Sequence, residues 1–129
     1  KKSITDFQTN QMIFLSCCLK LTSGDSRILK ESYDRYSKRR KEKHPLDKKN
    51  AGSFFKNPEG DQTAGEIIER AGLKGTIIGG AEVSRKHANF LVNNGNATTT
   101  DLLNLMKLVQ TKVKEVYNIT LTPEVRIIG

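Results

Sequence analysis

No apolar run in this chain approaches the ~18 residues that a membrane-crossing helix needs. The longest runs from Met12 to Leu15 and, past Ser16, from Cys17 to Leu19, where Lys20 stops it. It reads as a buried strand. Cysteine is nearly absent. Cys17 and Cys18 are adjacent, and neighbours on a strand point to opposite faces, so they do not pair with each other. Without spacing or partners they form neither a disulfide framework nor a metal site, and a reduced pair in a cytosolic strand is the simplest account. The two histidines, His44 and His87, lack metal-ligand spacing and have no cysteine or carboxylate cluster around them, so no metal is expected. The opening Lys1-Lys2-Ser3-Ile4-Thr5-Asp6 is neither a signal nor a transit peptide. It has no initiator Met and begins in mid-pattern, as a piece of a longer protein would. Internal repeats and low-complexity tracts are also missing.

What is present suffices for one modest domain. The chain has 129 residues, 36% hydrophobic and 28% charged, which fits a soluble globular protein. Lys and Arg number 22 against 14 Asp and Glu, giving a formal net charge of +8 and a pI near 9.6. That balance favours polyanions: nucleic acid, a membrane surface or a phosphorylated ligand. Charge alone points first to nucleic acid. It does not decide, because a nucleotide-sugar site also needs cations.

Residues Gln11 to Leu21 read as a strand, rich in apolar and β-compatible types. Thr22-Ser23-Gly24-Asp25 is a turn in which Ser23 or Asp25 can cap a helix running from Ser26 to about Glu42. Pro45 stops that helix. The basic stretch Lys38 to Lys49 gives way to the small, polar Asn50-Ala51-Gly52-Ser53, which sets a boundary between structural units near Lys38 to Pro45. Asp61 to Ala71 is a short helix with Thr63 and Glu66 in a capping box and Gly72 as terminator. Gly75 to Ser84 reads as a turn and a short strand, and Asn89 to Asn93 as another strand. Thr98 to Tyr117 is the clearest helix, with Leu102, Leu105, Met106, Val109, Val113 and Val116 at helical spacing. Ile119 to Ile128 alternates as a final strand, which Pro123 demotes to an edge or bulged position. Helices interleaved with few strands make the class α+β.

Several segments can carry chemistry, each with a plainer reading beside it. In Asn50 to Pro58, Ala51 and Gly52 leave the Ser53 hydroxyl approachable, while Lys56 and Asn57 add a cation and an amide. The same composition also makes an ordinary turn. Gly72 to Gly80 lacks a Gly-Lys-Ser/Thr ending and proper dinucleotide spacing, so helix termination and tight packing outweigh a phosphate loop. Glu124 and Arg126 share one strand face, as a site or as a solvated charge pair. A hydrolase assembled from Ser53, His87 and Glu124 lacks a nucleophile elbow and is set aside. The basic run has only Tyr33 and Tyr36 nearby as stacking residues, and a wet helix face explains it equally well. The glycosylation-like Asn96-Ala97-Thr98 and Asn118-Ile119-Thr120 read as helix caps and turns.

Taken in order, these segments resemble the C-terminal portion of the UDP-N-acetylenolpyruvoylglucosamine reductase family. The resemblance is carried by Lys43-His44-Pro45, Asn50 to Pro58, Ala64-Gly65 with Ile67-Ile68, and Gly72 to Gly75. It continues through Ile78 to Ala81, Lys86-His87-Ala88-Asn89, Val92-Asn93 and Pro123-Glu124-Val125-Arg126. It covers Lys38 to Gly129 and extends more weakly upstream. It implies a truncated end of a flavin-binding domain over 1–37 and a substrate-binding domain over 38–129. It implies a cytoplasmic bacterial oxidoreductase, monomeric, that reduces UDP-N-acetylglucosamine enolpyruvate to UDP-N-acetylmuramate for peptidoglycan. NADPH would be the reductant and FAD the cofactor, bound mainly by a region upstream of this chain. Ser53 matches the family's proton donor and Glu124 its C-terminal catalytic glutamate, which must be neutral or hydrogen-bonded to work beside a developing enolate. Asn57, with Lys43 and Lys56, matches positions that hold the nucleotide-sugar diphosphate, and Arg126 and Arg40 reach flavin or phosphate. The family's catalytic arginine has no counterpart here. Lys2 stands before Ser3 where relatives often have arginine, and a lysine lacks the planar fork for a bidentate contact. No nucleic-acid or membrane partner is implied; a small basic nucleic-acid-binding module is the alternative. The 129 residues alone are expected neither to hold FAD tightly nor to turn over.

Overall fold

The computed structural model describes residues 15–127. The chain divides into two compact units, Lys1–Ser32 and Tyr33–Gly129. In the first, residues 15–25 have no regular structure, and Leu15 and Leu21 are 90% and 83% exposed. The buried strand expected over Gln11 to Leu21 is therefore not formed over 15–21; Gln11 to Phe14, like Lys2 and Ser3, lie outside the described residues. An extended segment needs a partner for its N–H and C=O groups, and no described strand pairs with this one. Cys17 and Cys18 are both exposed free thiols.

Helix α1 spans Ser26–Lys43. Asp25 caps it: its carboxylate accepts from the backbone N–H of Arg27 at 2.8 Å and of Ile28 at 3.2 Å. No residue of α1 is buried, so Ile28, Leu29, Tyr33 and Tyr36 stand in solvent beside its cations. Pro45 terminates it as expected, with the His44 N–H still bonded to the Arg40 carbonyl.

The core lies beyond Pro45. Strands β1 (Lys49–Asn50), β2 (Ile77–Ile78), β3 (Ala81–Val83) and β4 (Leu91–Asn93) form an antiparallel sheet in the order β1-β4-β3-β2. Its register pairs Asn50 with Val92, Glu82 with Val92 and Ile78 with Ala81. Helix α2 (Ala64–Arg70) carries the expected Thr63/Glu66 capping box, and α3 (Thr99–Tyr117) the Thr98/Asp101 one. At the far end of α3, Asn118 adopts the left-handed conformation, φ 56°, that closes a helix. Leu105, Val109 and Val113 of α3, Ile67 and Ile68 of α2, and Val83 and Leu91 of the sheet join Phe55 and Leu121 in one buried cluster. Each fully buried side chain of this size contributes about 1.5–3 kcal/mol.

Over 119–127 the strand expected for Ile119 to Ile128 does not form, and Ile128 lies outside the described residues; a single bridge pairs Pro123 with Phe55. The bonds from the Lys56 N–H to the Thr122 carbonyl and from the Glu124 N–H to the Phe54 carbonyl flank that bridge, and the ladder goes no further because the Phe54 N–H is taken by the Asn89 carbonyl. On its other edge Pro123 has no N–H to donate, and the Leu121 carbonyl accepts from the Gln110 amide of α3 at 2.8 Å. Of the expected inward face Ile119, Leu121, Val125 and Ile127, Leu121 is fully buried and Ile119 and Val125 partly so, but Ile127 is 61% exposed; Thr120, Thr122, Glu124 and Arg126 face water. Two strands escaped the sequence reading: β1 sits inside the basic stretch and is only two residues long, and Gly75 to Ser84, expected as a turn and one short strand, holds both β2 and β3.

Gly79 and Gly80 make the two-residue turn between β2 and β3. Gly80 is pressed on α3's approach, so an added Cβ would lie 2.3 Å from the Ala97 backbone nitrogen. Gly80→Ala is expected to destabilise the protein by about 2 kcal/mol, the cost typical of overpacking against a backbone that cannot yield. Denaturant unfolding would show this as a lowered midpoint with an unchanged slope.

Candidate functional site

The Ser53 loop is fixed from both sides. Upstream, the Asn50 carboxamide accepts from the Gly52 N–H at 3.0 Å and donates to the Pro45 and Lys48 carbonyls. Gly52 then takes φ +82°, a conformation that L side chains avoid. Downstream, Asn89 holds the next two residues. Its backbone carbonyl accepts from the Phe54 N–H at 2.8 Å. Its carboxamide accepts from the Phe55 N–H at 2.9 Å and donates to the Phe55 carbonyl at 2.8 Å. Phe54 and Phe55 are buried under this clamp, and Ser53 and Lys56 on either side of them are exposed.

The C-terminal segment is stitched to the same loop. The Glu124 N–H donates to the Phe54 carbonyl at 2.8 Å, and the Lys56 N–H to the Thr122 carbonyl at 2.8 Å. Ser53, Lys56 and Asn57 thus lie along one strip of backbone with Glu124 and Arg126 on the strip bonded to it. All five residues are exposed.

Asn57 has a second task. Its side-chain oxygen accepts from the Ala64 N–H at 3.0 Å, one of the otherwise unpaired donors at the start of α2. Only its amide group is left to meet a ligand. Lys43 ends α1, and Arg40 sits in that helix's last turn. Among the described residues no hydrogen bond or ion pair joins either to the Ser53 loop.

Two features were not legible in the sequence. His44, His87 and Phe90 pack as an aromatic triple, with the His44–His87 centroids 5.5 Å apart and Phe90 at 5.1 and 4.9 Å. Burial, the neighbouring His44 and the Lys74 ammonium hold the His87 imidazole below its usual pKa. Its Nδ1 accepts from the Asn89 N–H at 3.2 Å, which the neutral ring can do. The only advance signal was the pair of Lys-His dipeptides. The second feature is Glu82, whose side chain is 7% exposed. It accepts from Lys48 at 2.8 Å and Asn94 at 3.0 Å, with the Arg85 guanidinium 3.3 Å away. Hydrogen bonding by Lys48, then by Asn94, outweighs burial and lowers its carboxyl pKa. Lys48, just ahead of β1, is thereby tied to β3.

Three surface cavities measure about 370, 320 and 180 Å³. None is lined by Ser53, Asn57 or Glu124. Arg40 and Arg126 have the chemistry for a flavin's phosphates, but none of these three cavities gives the strip, among the described residues, an enclosed apolar wall for its ring system.

Residues 44–128 match a family model described as the UDP-N-acetylenolpyruvoylglucosamine reductase C-terminal domain. The chain is 47% identical over 122 residues to the UDP-N-acetylenolpyruvoylglucosamine reductase of Caldanaerobacter subterraneus, covering 95% of this chain and 40% of that protein. It is 50% identical over 111 residues to the enzyme of that name from Desulfosudis oleivorans, covering 86% of this chain and 36% of that one. Among solved structures, the Thermus caldophilus reductase of the same name superposes with a TM-score of 0.67 at 34% identity, over 83% of this chain and 37% of that one. The chain spans about two-fifths of the length of the relatives it matches.

The lowered Glu82 pKa has a defined sign. The folded value lies below the ordinary 4.5, so the stabilisation is complete above the unfolded value and is lost as pH falls through the folded one. Glu82→Gln is expected to flatten the stability-versus-pH curve below about pH 4.5. Urea unfolding at a series of pH values checks this; an acid limb identical in both proteins would refute it.

Proposed function

Since the chain belongs to the UDP-N-acetylenolpyruvoylglucosamine reductase family, of which it carries the C-terminal domain, we propose that it forms the substrate-binding part of a bacterial flavoenzyme. The substrate is UDP-N-acetylglucosamine enolpyruvate, the product UDP-N-acetylmuramate, the reductant NADPH, and the place of action the cytoplasm, in peptidoglycan precursor synthesis. The observation that supports this most is the joining of the Ser53 loop to the Glu124 segment through the Phe54 carbonyl, in a chain of that family.

The reaction adds a hydride and a proton across an enol ether double bond. FAD, when bound, supplies the hydride, and this proposal gives its binding chiefly to sequence that the relatives carry outside the matched two-fifths. Within that proposal residues 1–37 end the flavin domain and 38–129 form the substrate domain, with Arg40 and Arg126 reaching phosphates at the rim.

This chain's own residues then have two tasks. Hydride arrival at the methylene carbon leaves negative charge on the neighbouring carbon and its carboxylate. The Ser53 hydroxyl delivers the proton to that carbon and regains one from solvent. A serine is a weak acid, but a carbanionic centre is a strong base, so transfer proceeds once the distance is fixed. Glu124 orients the developing enolate from the adjoining strip. The Asn57 amide and the ammonium groups of Lys56 and Lys43 hold the diphosphate, which gives part of the +8 charge a use.

The chain can be joined to the upstream part of the Caldanaerobacter relative to give a chimera of that relative's full length. In it, Ser53→Ala is expected to lower kcat by about 10²–10⁴-fold, the usual yield of one placed proton donor, with little change in KM. Glu124→Gln should fall in the same direction. NADPH oxidation dependent on the enolpyruvyl sugar is the assay, and full activity in Ser53→Ala would sink the reading.

A second measurement separates this reading from nucleic-acid binding. UDP-sugar is expected to slow amide exchange at Ser53 and Asn57. Tight DNA or RNA binding that weakens steeply with salt, without UDP-sugar protection, would favour the alternative.

A further inference from the structure

We infer that Asn89 is a positioning residue for the Ser53 hydroxyl, an inference that rests on the proton-donor reading above. Asn89 is 4% exposed, and both polar atoms of its side chain are consumed by one residue, Phe55. With the bond from the Phe54 N–H to its own carbonyl, it fixes three of the four backbone polar groups of Phe54 and Phe55, directly after Ser53. It never touches the reacting atoms in this arrangement; it sets the backbone from which the hydroxyl projects.

Asparagine is suited to this place for a chemical reason. Holding Phe55 requires an acceptor and a donor side by side on a short arm. Aspartate offers the acceptor but no donor, glutamine is one methylene too long, and serine cannot bridge both groups. Asn89 is itself anchored. Its N–H is held by His87 Nδ1, and the His87 N–H donates to the Ser84 hydroxyl at 3.4 Å. Gly65 lets α2 pack closely there, since an added Cβ would lie 2.9 Å from the His87 ring. The Phe54 carbonyl, between the clamped groups, receives the Glu124 N–H. One buried amide therefore sets the placement of the proton donor and, through Phe54, of the acid segment. A displacement of about 1 Å at such a donor typically costs about 10²-fold in rate.

The test uses the same chimera with Asn89→Ala, Asn89→Asp and Ser53→Ala. Flavin reduction by NADPH and its reoxidation by the enolpyruvyl sugar are followed separately by flavin absorbance. Amide exchange at Phe54 and Phe55 is measured alongside, because it does not depend on turnover.

Asn89→Ala is expected to slow reoxidation by about 10²-fold while reduction by NADPH stays within about twofold. Asn89→Asp, which keeps one of the two side-chain bonds, should fall in between. Both should exchange faster at Phe55, whereas Ser53→Ala should slow reoxidation with exchange at Phe55 unchanged. If reoxidation is normal in both Asn89 variants while Ser53→Ala is slow, the positioning role is overturned and the function stands. If both steps fall equally, or neither Asn89 variant melts cooperatively, Asn89 is only a folding element and the inference fails. A Ser53→Ala protein with normal reoxidation removes the proton-donor reading and this inference with it.

Discussion

A buried carboxamide facing a single backbone unit is the constraint on which the candidate site depends. Phe55 sits in no regular strand, yet its N–H and C=O are buried and must be paired. Asn89 supplies both partners from one side chain and so substitutes for the missing strand neighbour. Unpaired, each group would cost about 1–3 kcal/mol. The same residue ties Phe54 by its backbone carbonyl. Phe54 and Phe55 can then plug the core while Ser53 and Lys56 face water. The loop is irregular in path but determined in position.

The C-terminal segment extends this arrangement. Leu121 is buried at 1% exposure and anchors the segment in the core, and Gln110 of α3 holds its carbonyl. From that anchor the chain passes Pro123, paired with Phe55 in a single bridge, and delivers the Glu124 backbone beside Phe54. The Glu124 segment is bonded to the Ser53 loop through three linked supports: α3, the Leu121 anchor and the Asn89 clamp. Each is made of groups whose pairing burial enforces, so the backbone of residue 124 is held against that of residue 54.

The excess cations divide into two populations. Those of α1, from Lys38 to Lys43, are exposed on a helix with no buried residue, next to an uncovered apolar stripe. Lys48, Lys74, Lys86 and Arg85 instead pair with Glu82, Glu69 and Asp47. The second group is spent on structure, and only the Glu82 cluster is desolvated enough to matter for stability. The first group, like Lys56 and Arg126, is exposed and in no ion pair among the described residues.

Elements whose signal is local were legible from the residues alone. The capping boxes of α2 and α3, the left-handed close at Asn118, the stop before Pro45 and the inward alternation of Ile119, Leu121 and Val125 all follow from side chains within a few positions of one another. The α+β class followed from the order of those elements, and the ordered motifs led to the family. Failures fell where pairing must come from far away. The segment 15–21 has strand-like residues but no described neighbour to complete it, and over 119–127 the expected strand is reduced to one bridge because the Phe54 N–H pairs with Asn89. The roles of Asn89 and Glu82, the approach of His44 to His87, and the bond between residues 124 and 54 belong to tertiary structure alone. Composition and spacing determined which polar groups the chain carries. Which of them are taken out of water, and so must find one another, was decided only when the core closed around Phe55 and Leu121.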